Sequence, residues 1–276
     1  MRTALLQLTS SDDPAANARD VAAMVRQAAS DGAKFVLTPE VTNCVSLDRA
    51  HQRGVLALEK DDPTLATLRD MAAQTGIHLL IGSLAVQTGD ADGRFANRSF
   101  LLGPTGNVLA RYNKIHMFDV AISDDEKFRE SSGYRPGDQA IVARTEFAAI
   151  GMAVCYDMRF PLLANAMVGA GADILTYPSA FSPITGAAHW HSLLRARAIE
   201  AGAWVLAPAQ TGKHPNRSGR QRQTYGHSLA VDPWGEVVLD AGEAPGIYML
   251  DLDMGRVAEA RRRIPSRQNA RPFQGP

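Results

Sequence analysis

One stretch of the chain sets a reactive side chain where backbone could activate it. Ala148 to Val154 is a run of small apolar residues that ends at Cys155, and Tyr156-Asp157-Met158-Arg159-Phe160-Pro161 follows. An apolar run of this length between turn signals reads as a buried strand. Phe160-Pro161-Leu162-Leu163 reads as a helix start, with proline early, where its missing N–H costs nothing. Cys155 is therefore expected at a strand end, on a turn into a helix. Such a position exposes the side chain and brings backbone N–H groups and the positive end of a helix dipole near the sulfur. A thiolate could be used there as a nucleophile. The residue alone decides nothing, because most free cysteines are buried, inert and small.

Two further segments change the weight of Cys155. Leu37-Thr38-Pro39-Glu40 delivers a carboxylate just past an apolar strand, and Arg111-Tyr112-Asn113-Lys114-Ile115-His116 carries a lysine at another strand end. Taken singly, Glu40 suits a helix cap and Lys114 a solvated strand-end charge. Taken together, Thr-Pro-Glu, Tyr-x-Lys-x-His and Gly-x-x-x-Cys-Tyr-Asp-x-Arg-Phe-Pro resemble the three signatures of the nitrilase (carbon–nitrogen hydrolase) superfamily. They stand in the family's order, and the resemblance covers nearly the whole chain.

The resemblance implies an amidase that works through a thioester, with no cofactor and no catalytic metal. Amide hydrolysis needs a nucleophile, a proton carrier and a group that stabilises the tetrahedral oxyanion. Cys155 would be the nucleophile and Glu40 the general base and acid. Lys114 would stabilise the oxyanion together with the backbone N–H of Tyr156. Glu130, in Phe128-Arg129-Glu130-Ser131, matches a second glutamate that would orient Lys114 or the substrate; a solvated loop carboxylate is the plainer alternative.

Later segments narrow the likeness. Tyr177 to Trp190, Leu194 to Glu200, Tyr225-Gly226-His227-Ser228 and Val231 to Gly235 resemble the Nit branch. That branch holds amidases of deaminated glutathione and omega-amidases. Ser179-Ala180-Phe181, Arg195-Ala196-Arg197 and Ala209 to His214 lean toward the former. Either reaction would place a 2-oxoglutaryl group on Cys155, with cysteinylglycine or ammonia leaving. The acyl carboxylate needs a cation, and Arg159, four residues past Cys155, is the candidate; a structural salt bridge is its alternative. Phe181 and Thr185, between a strand and a helix, are candidates for the substrate wall. The branch usually carries an acidic residue after His-Trp; here it is His191, which leaves the exact pocket wall open.

The elements that must position these groups follow from periodicity. Thr3 to Leu8 reads as a strand. Asp12-Asp13-Pro14 opens a helix with Val21, Met24, Val25 and Ala28 on one face, closed near Gly32. Lys34 to Leu37 is the strand before Glu40. Asp62-Pro63 opens a helix with Leu65, Leu68, Met71 and Ala72 inward, stopped by Gly76. Strands are expected at Ile77 to Gln87, Asn97 to Gly103 and Val108 to Tyr112. Phe118 to Asp138 reads as a long polar loop of the kind that serves a site. Beyond Cys155 come a helix to Gly169, a strand from Asp173 to Tyr177 and a helix near Ala187 to Glu200. Another strand spans Ala203 to Ala209. Lys213 to Gln223 reads as a basic surface loop. A hairpin turns at Pro233-Trp234-Gly235, and Gly246 to Leu252 is the last strand before an arginine-rich helix. Mixed strands and helices without a linker argue for α/β layers in one domain, residues 1–276. The resemblance makes this a four-layer α-β-β-α sandwich that associates into homodimers or larger homo-oligomers.

Composition excludes several other classes. Among 276 residues, 45% are hydrophobic and 21% charged, and the formal net charge is +0. Nothing in that balance directs the chain to nucleic acid or membrane. Two cysteines make no disulfide framework, and Met1 to Leu8 is too short an apolar run for a signal peptide. A cytoplasmic protein is expected. No His-Glu-x-x-His, Cys-x-x-Cys or phosphate loop occurs, and His189 and His191 stand two apart, on different faces of a helix. A Cys–His peptidase lacks its local signatures around Cys155. Arg261 to Arg271 suits a helix end or subunit contact better than RNA. A non-catalytic scaffold would have a broken triad, and here the three residues are all present.

Overall fold

In the computed structural model, described for residues 1–122, 127–217 and 220–275, the chain starts with two helices laid on a growing sheet. Its first part runs β1 (Arg2–Gln7), α1 (Pro14–Ser30), β2 (Phe35–Leu37), α2 (Arg49–Val55), α3 (Pro63–Thr75), β3 (His78–Gln87), β4 (Phe95–Leu102) and β5 (Val108–Asn113). A small hairpin, β6 (Asp119–Ala121) and β7 (Lys127–Arg129), follows. Then come β8 (Ile141–Arg144), β9 (Ala149–Met152), α4 (Pro161–Gly169), β10 (Ile174–Thr176), α5 (Pro183–Ala201) and β11 (Trp204–Ala207). The chain closes with β12 (Thr211–Lys213), β13 (Gln223–Tyr225), β14 (Leu229–Val231), β15 (Val237–Asp240), β16 (Gly246–Asp251), α6 (Gly255–Arg263) and α7 (Ser266–Asn269).

Two six-stranded sheets form, in the orders β16-β1-β2-β3-β4-β5 and β15-β14-β11-β10-β9-β8. At the centre of each lie three parallel strands, β1-β2-β3 and β9-β10-β11. Side chains alternate across a strand with period two, and this splits the first sheet's apolar residues between two faces. Leu6, Val36 and Leu79 pack with Val21 and Val25 of α1 and Leu65 and Leu68 of α3. Leu5, Leu37 and Leu80 face the other way, into a core shared with Ile150, Ile174 and Val205 of the second sheet. That same cluster continues through the second sheet to Leu163 and Met167 of α4 and Trp190, Leu194 and Ala198 of α5. The layers are therefore α-β-β-α, as the resemblance implied.

Local chemistry explains the helix boundaries. The Asp13 carboxylate accepts the N–H groups of Ala15 and Ala16, Pro14 opens α1, and Asp62 with Pro63 does the same for α3. Gly76 and Gly202 end α3 and α5 in the left-handed conformation.

The differences from expectation are local. α5 begins at Pro183, a turn earlier than Ala187. α2 has no apolar period to announce it; its Asp48 cap accepts from Ala50 and His51. β8, which has no counterpart among the expected elements, is an edge strand paired antiparallel with β9. The expected loop from Phe118 to Asp138 contains the β6–β7 hairpin, and β12–β13 pair across the ends of the expected loop from Lys213 to Gln223. Positions 123–126 of the first and 218–219 of the second lie outside the described residues.

Candidate active site

Glu40, Lys114 and Cys155 follow the C-terminal ends of β2, β5 and β9. Crevices beyond the carboxyl ends of strands are where open α/β sheets bind ligands. Face-to-face packing of the two sheets brings the three ends together. Gly82 of β3 makes the close approach possible: a Cβ there would fall 2.0 Å from the Thr38 carbonyl oxygen and 2.4 Å from the Pro178 Cβ. Backbone is bent sharply at both reactive positions. Val41, next to Glu40, has φ 47 and Cys155 has φ 51. Left-handed backbone is costly for non-glycine residues, most of all for a β-branched one, and persists where surrounding contacts impose it. The Val41 N–H donates to Ser83 Oγ at 2.8 Å, and the Cys155 N–H to the Pro178 carbonyl at 3.0 Å.

Lys114 is the hub. Its Nζ donates to Glu40 Oε1 at 2.8 Å and to both Glu130 oxygens at 3.0 and 2.9 Å. Its side chain is only 2% exposed. Burial alone would push the ammonium down, but the carboxylates of Glu130 and Glu40 outweigh it and hold Lys114 charged, well above its ordinary value. Burial works against the Glu40 charge too, and Lys114 and Arg222 overcome it, so Glu40 stays below the usual carboxylate range. Its Oε2 accepts the Ala180 N–H at 2.8 Å, and Asn97 Nδ2 donates to Oε1 at 2.9 Å.

Cys155 differs from expectation. It is buried, not exposed, and opens a 3₁₀ turn, Cys155–Arg159, ahead of α4. Burial and then the Glu40 charge push its thiol far up, with Lys114 and the Ala180 N–H only partly offsetting them. The thiol is thus held toward its protonated form, with the Glu40 carboxylate beside it. A carboxylate held charged against a neutral thiol is the arrangement for general-base activation, where a partner removes the proton as the nucleophile attacks.

Asp157, fully buried, locks the Lys114 and Cys155 segments in register. Its Oδ2 accepts from Tyr112 Oη at 2.7 Å and from the Val154 N–H at 2.9 Å. Its Oδ1 accepts the His116 N–H at 3.0 Å and lies 2.7 Å from His116 Nδ1. The two motif segments are therefore joined by one carboxylate.

A cavity of ≈ 290 Å³ opens onto Glu40, Lys114, Glu130 and Cys155. Phe181 lines it, as expected. Arg159 and Thr185 do not. Arg159 lies over the rings of Tyr156 and Phe181, 5.9 and 5.5 Å from their centroids, and its Nη2 is 3.2 Å from His189 Nδ1. Thr185 is spent on the first turn of α5, with Oγ1 3.5 Å from the Ser182 carbonyl. The reason is that the 3₁₀ turn carries residue 159 around to the α5 side of the Tyr156 ring. The cations on the cavity wall include Arg49 and Arg222 instead. Arg222 donates to the Ala180 carbonyl at 2.7 Å, and Arg49 stacks 4.9 Å from the Tyr134 ring. These two, with Asn97 and Tyr134, carry no local motif. Only the basic composition of the 213–223 segment hinted at Arg222.

A buried thiol, carboxylate and ammonium at one cavity floor make a site of the thiol-hydrolase class. The family model "Carbon-nitrogen hydrolase" matches residues 2–262, and the chain belongs to that family. It is a hydrolase acting on carbon–nitrogen bonds other than peptide bonds, an amidase. The chain is 37% identical to the deaminated glutathione amidase of Yersinia enterocolitica, over 97% of this chain and 92% of that protein. To the Homo sapiens deaminated glutathione amidase it is 39% identical, over 98% of this chain and 82% of that one. The crystal structure of the C. elegans NitFhit protein superposes with a TM-score of 0.89 at 32% identity, over 98% of this chain and 65% of the longer worm protein. Among the described residues, no helix is long and apolar enough to cross a membrane.

Proposed function

We propose that the protein hydrolyses deaminated glutathione to 2-oxoglutarate and cysteinylglycine through a thioester on Cys155. One observation carries the chemistry: the buried Cys155 thiol, held toward its protonated form, stands beside a buried, charged Glu40 that also holds Lys114. Glu40 takes the thiol proton as sulfur attacks the amide carbon. The oxyanion that forms is met by Lys114 Nζ and the Tyr156 N–H. Glu40 then gives its proton to the departing amine, the carbon–nitrogen bond breaks, and a thioester remains. Water, deprotonated by Glu40, cleaves the thioester and restores the thiol. Glu130 keeps Lys114 aimed and charged throughout. No metal or cofactor enters this scheme.

The substrate assignment is supported by the names of the relatives and by the cavity wall. A 2-oxoglutaryl group carries a carboxylate, and the guanidinium groups of Arg222 and Arg49 can fork onto it. We place the enzyme in the cytoplasm because the chain has only two cysteines and both are free, which suits a reducing compartment. Exposed Leu162, Ile184 and Ile199 on α4 and α5 favour a homo-oligomer over a monomer, and neither nucleic acid nor membrane is a partner in this reading.

Comparing kcat/KM for deaminated glutathione and for 2-oxoglutaramate, with Cys155→Ala as the blank, tests the proposal. A strong preference for deaminated glutathione is expected. Preference for 2-oxoglutaramate makes the protein an omega-amidase with the same acyl-enzyme. No turnover of either would leave the amidase acting on a different acyl group, or the chain serving as a scaffold.

A further inference from the structure

Away from the cavity, the end of the β14–β15 hairpin meets α5 at a second cluster of titratable groups. His191 on α5, His227 just before β14 and Asp240 at the end of β15 place one donor atom each within 4.8 Å of one another. Asp240 Oδ2 is 2.9 Å from His191 Nε2, and Asp240 Oδ1 is 2.8 Å from His227 Nδ1. The two rings meet edge to face at 5.6 Å.

The surroundings fix these side chains more firmly than a surface contact requires. His227 has φ 56, left-handed backbone in a residue that is not glycine. Its N–H donates to the Gly242 carbonyl at 2.7 Å, and its own carbonyl accepts from Trp190 Nε1 at 2.8 Å. The Tyr225 ring stacks on its imidazole at 4.5 Å. The Gly242 N–H donates to Asp240 Oδ1 at 2.9 Å, so the carboxylate is oriented by a partner outside the cluster. Such outer partners are what hold metal ligands in place.

We propose that His191, His227 and Asp240 form a binding site for a divalent first-row transition ion of the zinc type. Two imidazoles and a carboxylate suit that class of ion. Donors around one tetrahedral zinc lie about 3.3 Å apart when the bonds are about 2.05 Å long. The Asp–His pairs, each to a different carboxylate oxygen, would open by about half an ångström, and the two imidazole nitrogens, within 4.8 Å of each other, would close toward that spacing. Without an ion, His191 Nε2–H and His227 Nδ1–H donate to the Asp240 carboxylate; an ion takes the place of those two protons, and each ring then keeps its proton on its other nitrogen. With side chains 36%, 22% and 34% exposed, the remaining coordination positions open to water. The ion pins α5 to the β14–β15 hairpin. It also buttresses Trp190, whose ring packs 5.1 Å from Phe181 on the cavity wall. The chemistry of amide cleavage does not pass through it.

The test uses the full chain carrying Cys155→Ala, which removes the active-site thiol as a competing ligand. ZnCl₂ is titrated by calorimetry and CoCl₂ by its visible d–d absorption. One ion per chain is expected, with a higher melting temperature in its presence. Binding should weaken by about tenfold or more in His191→Gln and in Asp240→Asn. No binding at micromolar metal, or binding that survives both substitutions unchanged, overturns the proposal and leaves a plain His–Asp–His hydrogen-bond chain. If His191→Gln fails to fold, Asp240→Asn decides alone, since it keeps the side-chain shape and removes only the charge.

Discussion

Cys44 and Cys155 are both buried, both free and both on the wall of the same cavity. Their surroundings differ in one respect that decides their chemistry. Burial, with the charges of Asp12 and Asp13 behind it, pushes the Cys44 thiol up to about 12, and its sulfur donates weakly to the Asp12 carbonyl at 3.8 Å. Burial pushes Cys155 up further still, yet the Glu40 carboxylate and the Lys114 ammonium both stand close enough to act on its sulfur. A depressed thiol pKa is one route to a cysteine nucleophile; this fold uses the other, a neutral thiol with a proton acceptor already in place. The strand-end position that the sequence implies for Cys155 is thus buried rather than exposed, and burial with the Glu40 charge works against a resting thiolate.

The contrast can be broken first by deletion. Cys155→Ala should reduce turnover to the blank while circular dichroism stays native, whereas Cys44→Ala should keep turnover; equal losses would erase the distinction. Glu40→Gln preserves shape but removes the proton acceptor, and kcat should fall by about 10²- to 10⁴-fold. Lys114→Ala should cost about 3 kcal/mol of transition-state stabilisation, measured from kcat/KM. The same variant leaves Glu40 buried without its main counter-charge, so Glu40 should rise. Because Glu40 works as the carboxylate, the acid limb of the pH–rate profile should then move to higher pH.

Iodoacetamide labelling sharpens the comparison further. Were Cys155 a simple thiol, its rate would climb about tenfold per pH unit below its pKa. With Glu40 as base, the rate should stay flat across neutral pH. It should fall only below the ordinary glutamate value of about 4.3, since Glu40 is held under it. Cys44 should label slowly throughout. The smallest effect is structural: Cys44→Ala should lose about 1 kcal/mol in denaturant unfolding, the scale of removing one small buried group.

Much of this protein was legible along the chain. Thr-Pro-Glu, Tyr-x-Lys-x-His and the Cys155 segment are local patterns, each fixed by a strand end, and they named the three central residues. Capping by Asp13 and Asp62 is equally local, so those helix starts could be read, whereas the four layers came from the family resemblance rather than from periodicity. What escaped depends on distance through space. Arg222 and Arg49 reach the cavity of Glu40 only through tertiary packing, from beside β13 and from α2. Asn97 meets it from the middle of a strand, with no motif around it. His191 and His227 are far apart in sequence, and only the packing of α5 on the hairpin puts them on one carboxylate. Ionisation belongs to the same category. Residue type gave a thiol, a carboxylate and an amine, but which of them carries charge is set by burial and by neighbours within a few ångströms. Those are properties of packed side chains, which no spacing along the sequence encodes.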